Sequence, residues 1–433
     1  MPPARRCGNY WSSSQGSSAN AWNTNNGNPN LNPKGNAYLV RPLYELHYKH
    51  YMQHNNHTTH EAVSLEEVFS AYYDCRRHKR NTHRAVRFEV FYEDELVRLH
   101  EELNARTYTI APSRAFVVTR PKLREVFAAD FRDRIVHHIL CNRLLPYIEG
   151  ELIDDTYACR RGRGPRKATE RFVAMLNDVS EYYTKQAWCL CGDVRNFFMS
   201  LDKAIVLERV QRIIQQHWCG SEMEFMLWLS ALIINHEPQH NCSIHSPASL
   251  WDALPSDKSL MTAAHGKGMP IGNLPSQLFA NIVLSDFDHD MVRMFGTGRY
   301  IRYADDFRIL STDKRAVMHA LPVIRSKLSD VGLTLHPRKW SLQEVHKGSP
   351  FAGVVVKPHR TYVRGRLLHD MLRAAEIAPT AERAYRSLSS YFGHMKGRAT
   401  FRYRRQALTI LQTRFPRRFT GGKNLNRIYL NAV

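Results

Sequence analysis

Three aspartates from two distant parts of the chain could hold metal ions for chemistry at phosphorus. Asp193 ends the apolar run QAWCLCGD, and the pair Asp305-Asp306 interrupts the alternating segment RYIRYADDFRILS. In-line transfer of a nucleotidyl group builds charge on the attacking and leaving oxygens, and two metal ions about 3.5–4 Å apart stabilise both. Because magnesium prefers hard oxygen ligands, these residues predict a site for two Mg²⁺ ions if the fold brings the three carboxylates together.

The flanking sequence predicts the elements that would position these carboxylates. Residues 186–193 are typical of a short buried strand, and the alternation on both sides of Asp305-Asp306 predicts a hairpin with the two acids at its turn. A bare Asp-Asp pair is weak evidence for a metal site, since exposed turns often contain one. The pattern Tyr303-Ala304-Asp305-Asp306 between apolar strands is much more specific.

Helical and strand patterns extend along most of the chain. Ser64 followed by Glu67 is a capping-box pattern for a helix start. The spacing of apolar residues predicts a strand over 115–118 and helices over 132–145, 203–216, 222–234 and 276–294. Residues 236–262 indicate an irregular insertion, and the chain after residue 366 is basic and helical in pattern.

The net charge narrows the class of partner. Lys and Arg number 61 against 40 Asp and Glu, which leaves +21 over 433 residues. A cationic surface of that size suits nucleic acid, and no basic amphipathic helix with lipid-facing aromatics indicates a membrane surface. A merely soluble basic protein could carry the same charge, so the charge alone does not decide.

Cysteine spacing and hydropathy favour a soluble intracellular protein. The eight cysteines are scattered and form no CxxC pair, so reduced thiols are expected rather than a zinc site. No run approaches the roughly 20 apolar residues of a membrane span. The N-terminus lacks the apolar core of a signal peptide.

Two features distinguish the first sixty residues. Residues 8–36 are rich in Asn, Ser and Gly, which predicts disorder or poor packing. Five histidines recur at spacings of three and four, namely His47, His50, His54, His57 and His60. A metal site on one helix face is conceivable, but no carboxylate or cysteine accompanies them at that spacing, so a solvated histidine face is favoured.

The motifs, in their order along the chain, resemble those of reverse transcriptases. Residues 303–306 resemble the YxDD hairpin, and GDVRNFFMSLD (192–202) resembles the strand with the first catalytic aspartate. LREVFAADFRDRIVHHIL (123–140) and DDTYACRRGRGPRKATE (154–170) resemble two fingers motifs. GLTLHPRKW (332–340) and SPFAGVVV (349–356) resemble the lysine motif and the primer-gripping hairpin. The resemblance covers roughly residues 60–400.

The resemblance implies roles at the reacting centre. It implies a catalytic set of Asp193, Asp305, Asp306 and Lys339, the lysine lying near the leaving pyrophosphate. It also implies that two Mg²⁺ ions bind at Asp193, Val194, Asp305 and Asp306. Phe198 matches the steric gate that crowds a ribose 2′-OH and favours dNTPs. A core aromatic is the plainer interpretation of Phe198, and both can be true.

Further positions match the contacts to nucleotide and template. The residues implied at the incoming nucleotide are Arg124, Arg132, Phe198, Ile271, Gly272 and Gln277. Arginine suits the triphosphate because its planar fork matches phosphate oxygens. The residues that could track a template backbone are Arg160, Arg161, Arg163, Arg166 and Lys167. A solvated basic loop is the alternative for that second set.

The implied fold class is α+β, a right-hand polymerase with fingers, a palm built on an antiparallel sheet, and a helical thumb. The expected regions are an Asn/Ser-rich tail over 1–43, a helical region over 44–110, fingers over 111–185, a palm over 186–358 with an insertion near 236–263, and a basic helical thumb over 359–433.

One motif indicates which group of reverse transcriptases the chain resembles. GMPIGNLPSQLFANIVLSDFD (268–288) has Ile271-Gly272 and Ser276-Gln277 where most intron-type and retroviral enzymes have Gln-Gly and Ser-Pro. This IGxxxSQ form and the insertion at 236–263 resemble reverse transcriptases of diversity-generating retroelements. That family implies a cytoplasmic enzyme of bacterial or phage origin that copies a template-repeat RNA into cDNA from dNTPs, with errors opposite adenine. It also implies a small basic, ring-forming accessory protein and no membrane partner.

Two hypotheses attach to this resemblance. Isoleucine at position 271 cannot make the hydrogen bond of a glutamine, and losing a contact of about 1 kcal/mol would loosen nucleotide selection modestly. Residues 9–42 resemble the C-terminal end of the lectin-like variable proteins that such elements diversify. The reading frame would then begin inside a template repeat, with a start at Met52, unless this is an ordinary disordered tail.

Two other interpretations stay open. A reverse transcriptase of a group II intron, retron or phage-defence system has similar motifs. Intron enzymes usually add a maturase region and often an endonuclease, for which the chain after residue 366 leaves little room. A catalytically inactive RNA-binding scaffold is the second, against which the intact Asp193, Asp305, Asp306 and Lys339 argue.

Overall fold

The computed structural model describes residues 61–77, 83–119 and 122–431. The Asn-rich segment, the histidines of residues 47–60 and Met52 lie outside the described residues, so the interpretations placed on them stay predictions. Within the described ranges, no helix is both long enough and apolar enough to cross a membrane.

Three helices open the described part of the chain: α1 (Leu65–Arg76), α2 (His83–Glu89) and α3 (Tyr92–Asn104). Ser64 begins α1 as the capping box predicts, because its Oγ accepts a hydrogen bond from the Glu67 backbone N–H at 3.2 Å. The Glu67 carboxylate accepts from Arg143 Nε at 2.6 Å. The Glu67 side chain therefore ties α1 to a later helix, while Ser64 alone caps the helix start.

The next part of the chain alternates strands and helices. In order these are β1 (Ser113–Val118), β2 (Arg124–Ala128), α4 (Phe131–Glu151), α5 (Pro165–Val179), β3 (Trp188–Asp193), α6 (Phe197–Ser200), α7 (Lys203–His217), α8 (Gly220–Asn235), β4 (Cys242–Ile244), α9 (Ala248–Asp252), α10 (Leu274–Val283), α11 (Ser285–Phe295), β5 (Tyr300–Tyr303) and β6 (Asp306–Ser311).

The last part adds one long helix, a series of short strands and three C-terminal helices. In order these are α12 (Lys314–Ser329), β7 (Ser341–Glu344), β8 (Ser349–Phe351), β9 (Val354–Lys357), β10 (Arg360–Val363), α13 (Gly365–Ile377), α14 (Ala381–Met395), α15 (Phe401–Arg414), β11 (Phe419–Gly421) and β12 (Ile428–Leu430). The predicted mixture of helix and sheet is confirmed.

A four-stranded antiparallel sheet, in the order β5-β6-β3-β7, lies at the centre. Leu190 of β3 faces the larger apolar core, while Cys189 and Cys191 face a second core with Phe172 of α5. Both faces of the sheet are covered. This explains why β3 is a nearly continuous apolar run in sequence rather than an alternating one.

The segment predicted as an irregular insertion joins a second sheet. Its strand β4 pairs in parallel with β1, which pairs with β2 in antiparallel register. Leu260, in a later part of the insertion, is buried against Ala115 and Phe127 of the same sheet. The prediction of irregular structure was therefore wrong at β4 and α9, because packing against β1 and β2 orders a segment with little periodicity of its own.

The C-terminal helices have a separate apolar core. Side chains of α13, α14 and α15 bury one another together with Phe419 and Ile428 of the β11–β12 hairpin. The predicted helical character of this region is confirmed, and the hairpin was not predicted from the sequence.

A buried ion pair joins the β5 strand to the helices behind it. Arg302 is 1% exposed and Asp288 of α11 is fully buried. Arg302 Nε and Nη2 lie 2.7 and 2.6 Å from the two Asp288 carboxylate oxygens. The same guanidinium donates from Nη1 to the carbonyl of Ala304 at 2.9 Å. The pair thereby fixes the turn that follows β5.

The rest of the Asp288 carboxylate is also satisfied. It accepts from Tyr300 Oη at 2.5 Å and from Thr156 Oγ1 at 3.0 Å. Each of these donors comes from a different part of the chain, so the carboxylate links three segments at one point. Buried ion pairs are stable only when their remaining hydrogen-bonding groups are satisfied in this way.

Asp288→Asn is expected to lower the free energy of unfolding by about 3–5 kcal/mol, because it leaves the Arg302 charge buried without a counter-charge. Urea denaturation measures the change. Glu208→Ala is the control, since Glu208 pairs with Arg212 at 2.9 Å on an exposed helix face, where about 0.5 kcal/mol or less is expected. Equal losses for the two variants would contradict the role given to the buried pair.

Candidate active site

The central sheet brings the three aspartates together. Asp193, the last residue of β3, pairs in register with Asp306, the first residue of β6. Tyr303 pairs with Asp306 across the hairpin, so Ala304 and Asp305 form a two-residue turn. The predicted hairpin is confirmed, with one refinement: Asp305 lies in the turn, whereas Asp306 already belongs to the strand.

The tight turn requires an unusual backbone conformation. Ala304 has a φ of 57°, in the left-handed region that costs a non-glycine residue roughly 1–2 kcal/mol. The hydrogen bond from Arg302 to the Ala304 carbonyl helps to hold it there. The buried ion pair behind the sheet therefore positions Asp305.

A glycine before the first aspartate allows the two strands to pack. Gly192 pairs with Phe307, whose ring lies over the glycine, and a Cβ at position 192 would lie 2.2 Å from that ring. Phe307 is fully buried. Any larger residue would push the ring away and disturb the adjacent pair Asp193–Asp306.

Basic side chains compensate two of the three carboxylates. Arg308 donates from Nη1 and Nη2 to the two oxygens of Asp306, at 2.6 and 3.1 Å. Lys339 Nζ lies 3.3 Å from Asp193 Oδ1. Arg308 is almost fully buried, whereas Lys339 is about half exposed, so the lysine is the partner that a ligand can more easily displace.

Crowding of negative charge disfavours ionisation at the hairpin. Burial raises the pKa of Asp305, and the charges of Asp193 and Asp306 raise it further while Arg124 opposes them. Burial also raises the pKa of Asp306, against the opposing effect of Arg308. A cation bound between these carboxylates would relieve that crowding.

The donor atoms at this site suit a hard divalent cation. Asp193, Asp305 and Asp306 supply carboxylate oxygens, the ligand type that Mg²⁺ prefers, and Val194 could contribute only its backbone carbonyl. In the part of the chain that the structure describes, no group of three or more His, Cys, Asp and Glu side chains is already arranged to hold a metal ion. Binding would therefore draw these carboxylates from their present basic partners.

The aspartates open onto a cleft of about 1030 Å³. Eight of the predicted site residues line it: Arg124, Asp193, Val194, Phe198, Ile271, Asp305, Asp306 and Lys339. Phe198 is half-buried, so its ring has both a packed side and a side facing the cleft. Both interpretations offered for Phe198 are compatible with this placement.

Three residues predicted at the nucleotide do not line the cleft. Arg132 pairs with Glu102 at 2.7 Å and lies over the Tyr108 ring. Gly272 has a φ of 116°, and a Cβ there would lie 2.7 Å from Val126 Cγ1, so it serves close packing against β2. Gln277 lies exposed on α10. Their proposed contacts with nucleotide stay predictions.

The five residues predicted to track a template backbone divide into two kinds, partly buried and exposed. Arg163 is partly buried, and its Nη2 lies 3.2 Å from Asp154 Oδ1. Arg160 donates to Glu149 at 2.8 Å and to the carbonyls of Ile153 and Thr156, and its side chain is only 6% exposed. These contacts give it a structural role. Arg161, Arg166 and Lys167 are exposed and so can meet a polyanion.

Several cleft residues were missed by the sequence interpretation. They are Lys122, Asn196, Lys258, Arg308, Arg364 and Arg366. The sequence could have indicated Arg308, because it lies two residues after Asp306 on the same predicted strand and so projects to the same face. Lys122 and Asn196 adjoin or lie within quoted motifs, whereas Lys258, Arg364 and Arg366 come from segments far apart in sequence, where no local pattern could indicate them.

Comparisons with known proteins show what this chain is similar to. Residues 119–356, more than half of the chain, match the family model described as reverse transcriptase (RNA-dependent DNA polymerase). Protein YkfC of Escherichia coli (strain K12) is 24% identical over 326 residues, a match that covers 66% of this chain and 75% of YkfC.

Solved structures of apo telomerase from Candida Tropicalis are also similar. One, truncated from its C-terminal domain, is 11% identical with a TM-score of 0.40 and covers 57% of this chain; the other is 9% identical with a TM-score of 0.43 and covers 71%. The matches cover 54% and 57% of those two chains. This chain therefore spans little more than half the length of each telomerase chain.

Asp305→Asn is expected to raise the free energy of unfolding at pH 8 in EDTA, because it removes a partly buried charge beside Asp193. The raised folded-state pKa of Asp305 means that its ionisation destabilises the folded state. The gain should thus be largest above that pKa and vanish below the ordinary carboxyl value of about 4. Urea denaturation at several pH values tests this.

Asp252→Asn is the matched control, since Asp252 is exposed at the end of α9. It should leave the stability nearly unchanged at every pH. An Asp305→Asn variant that is less stable than the unaltered protein at pH 8 would show that the carboxylates are not crowded.

Proposed function

Since the chain belongs to the reverse transcriptase family, we propose that it copies a template-repeat RNA into adenine-mutagenised cDNA through two-metal nucleotidyl transfer. The family assigns RNA-directed DNA polymerase activity, with an RNA template and dNTPs as substrates. The convergence of Asp193, Asp305 and Asp306 on one cleft is the observation that carries the metal-dependent part of the proposal.

The proposed architecture is a right hand around that cleft. The β5-β6-β3-β7 sheet with its helices would be the palm, the β1-β2 sheet and neighbouring helices the fingers, and the core of α13–α15 the thumb. The separate apolar core of the C-terminal helices supports a thumb that can move as a unit.

Two Mg²⁺ ions would stabilise the charge on the attacking and leaving oxygens. Asp193, Asp305, Asp306 and the carbonyl of Val194 would hold them. Arg308 keeps Asp306 oriented through paired hydrogen bonds. Lys339, half exposed beside Asp193, can leave that carboxylate and donate to the leaving pyrophosphate.

The cleft walls suggest how the nucleotide would be selected. Arg124 is exposed at the start of β2 and would bind the triphosphate. The Phe198 ring would crowd a ribose 2′-OH. Ile271 lines the cleft, and its carbonyl accepts from the Phe127 backbone N–H at 3.0 Å, which fixes an apolar side chain where a glutamine could otherwise hydrogen-bond.

The sequence motif around Ile271 and Gln277 supports assignment to the diversity-generating retroelements. In that setting the partners would be a template-repeat RNA, its cDNA and a small basic oligomeric accessory protein. The net charge of +21 suits the nucleic acids. Finding a near-identical repeat pair and an accessory gene in the flanking DNA would support this group, and their absence would favour an intron, retron or phage-defence enzyme.

Primer extension tests the activity itself. The purified chain with Mg²⁺, an annealed RNA–DNA primer–template and dNTPs should extend the primer, and Asp193→Asn should reduce extension by at least about 1000-fold because the metal site loses a carboxylate. Sequencing of the cDNA should show errors concentrated opposite adenine. Extension by Asp193→Asn at the normal rate would contradict the proposed site.

Ile271→Gln is expected to lower misincorporation opposite adenine by about fivefold, because one recovered hydrogen bond near the incoming nucleotide is worth about 1 kcal/mol. Deep sequencing of cDNA from a defined RNA template measures it. Ile271→Leu is the control, which keeps an apolar side chain and should keep the error spectrum. An unchanged spectrum for Ile271→Gln would exclude the role given to Ile271.

A further inference from the structure

A basic side chain from the insertion faces the same cleft as the three aspartates. Lys258 is exposed and lines the cleft together with Arg124, Asp193 and Asp305. It lies in a short 3-10 turn, residues 256–258. Among the residues that the structure describes, no carboxylate forms a direct ion pair with Lys258. A hydrogen bond from Asn196 and the charge of Lys258 both lower the pKa of the neighbouring Asp257 carboxyl, but the Lys258 ammonium has no direct partner among these residues and is available to a ligand.

One contact ties this turn to the catalytic strand. The Asp257 carboxylate accepts a hydrogen bond from Asn196 Nδ2 at 2.8 Å and lies 3.7 Å from Arg195 Nη2. Asn196 follows Asp193 by three residues. These contacts fix the position of Lys258 relative to the strand that carries the first catalytic aspartate.

A second contact ties the turn to β2. Glu125 is 1% exposed, and its carboxylate accepts hydrogen bonds from Ser259 Oγ at 2.7 Å and from the Leu260 backbone N–H. Glu125 directly follows Arg124. A buried carboxylate with such partners is costly to disturb, so the insertion is held firmly against the strand that presents Arg124.

Positively charged side chains on the cleft walls favour a negatively charged ligand such as phosphate. Lys122, Arg124, Arg364 and Arg366 also line the cleft, so Lys258 adds to a set of cations that surround the aspartates from several elements. Lysine binds phosphate oxygens as a compact charge with three donors. A lysine that forms no direct ion pair, fixed between the two segments that carry Asp193 and Arg124, is suited to phosphate.

We propose that Lys258 binds phosphate during polymerisation, as a residue that the insertion adds to the cleft. The phosphate is either the triphosphate of the incoming dNTP or the backbone of the primer–template, which share the same oxygen chemistry. The proposal rests on the polymerase function. It explains why the insertion is anchored at Asn196 and Glu125 rather than left as a loose loop.

Lys258→Met, Lys258→Arg and the control Lys185→Met test this. Lys185 is exposed and pairs with Glu181 outside the cleft. The measurements are KM and kcat for dNTP in primer extension, and Kd titrations with a fluorescent dNTP and with a labelled RNA–DNA primer–template over a salt series. Lys258→Met should weaken one ligand about tenfold, Lys258→Arg should retain most of the binding, and Lys185→Met should match the unaltered protein.

The measurements distinguish the dNTP triphosphate from the primer–template backbone as the source of the phosphate. A rise in KM and in the fluorescent dNTP Kd, with kcat little changed, identifies the triphosphate. A weaker primer–template Kd with a salt slope reduced by about one identifies the backbone. Both ligands bound normally by Lys258→Met, or Lys258→Arg no better than Lys258→Met, would overturn the proposal. If the unaltered protein were inactive, the proposed polymerase function would be contradicted. The two Kd titrations would still test whether Lys258 binds phosphate.

Discussion

The buried ion pair between Arg302 and Asp288 is the interaction on which the site depends. The Arg302 guanidinium binds Asp288, which lies on the helix behind the sheet. It also donates a hydrogen bond to the Ala304 carbonyl, in the turn that follows β5. An arginine that is 1% exposed can be kept there only by a carboxylate whose other bonds are also filled. The turn that presents Asp305 is therefore set by interactions beneath the sheet, rather than by the turn residues alone.

The same structure holds like charges closer than they would stay in water. Asp305 and Asp306 are both buried enough that their pKa values are raised, and Asp193 adds to the effect. Arg308 compensates this charge from a nearly buried position, and Lys339 does so from a half-exposed one. Such crowding lowers the stability of the folded protein, and a cation bound between the carboxylates would relieve it; stability is commonly lost at active sites in this way.

Much of the chain could be predicted because local patterns were unambiguous. The strand ending at Asp193, the hairpin around Asp305, and the helices near 132–145, 203–216 and 222–234 all appear close to their expected places. The insertion was predicted poorly. Its strand β4 is only three residues long and is ordered by pairing with β1, a partner that no periodicity within the insertion could reveal.

The sequence by itself determined the family and the residues expected at its site, because the identity and order of the motifs indicate three carboxylates, a lysine and the surrounding strands. Only the tertiary structure decided which cations meet them. Arg132 and Arg160 have the right charge but are bound by Glu102 and Glu149, whereas Lys258 reaches the cleft from an insertion without any motif. Whether a charged side chain serves the fold or the site depends on which partners surround it in space, and that is a property of contacts between distant segments.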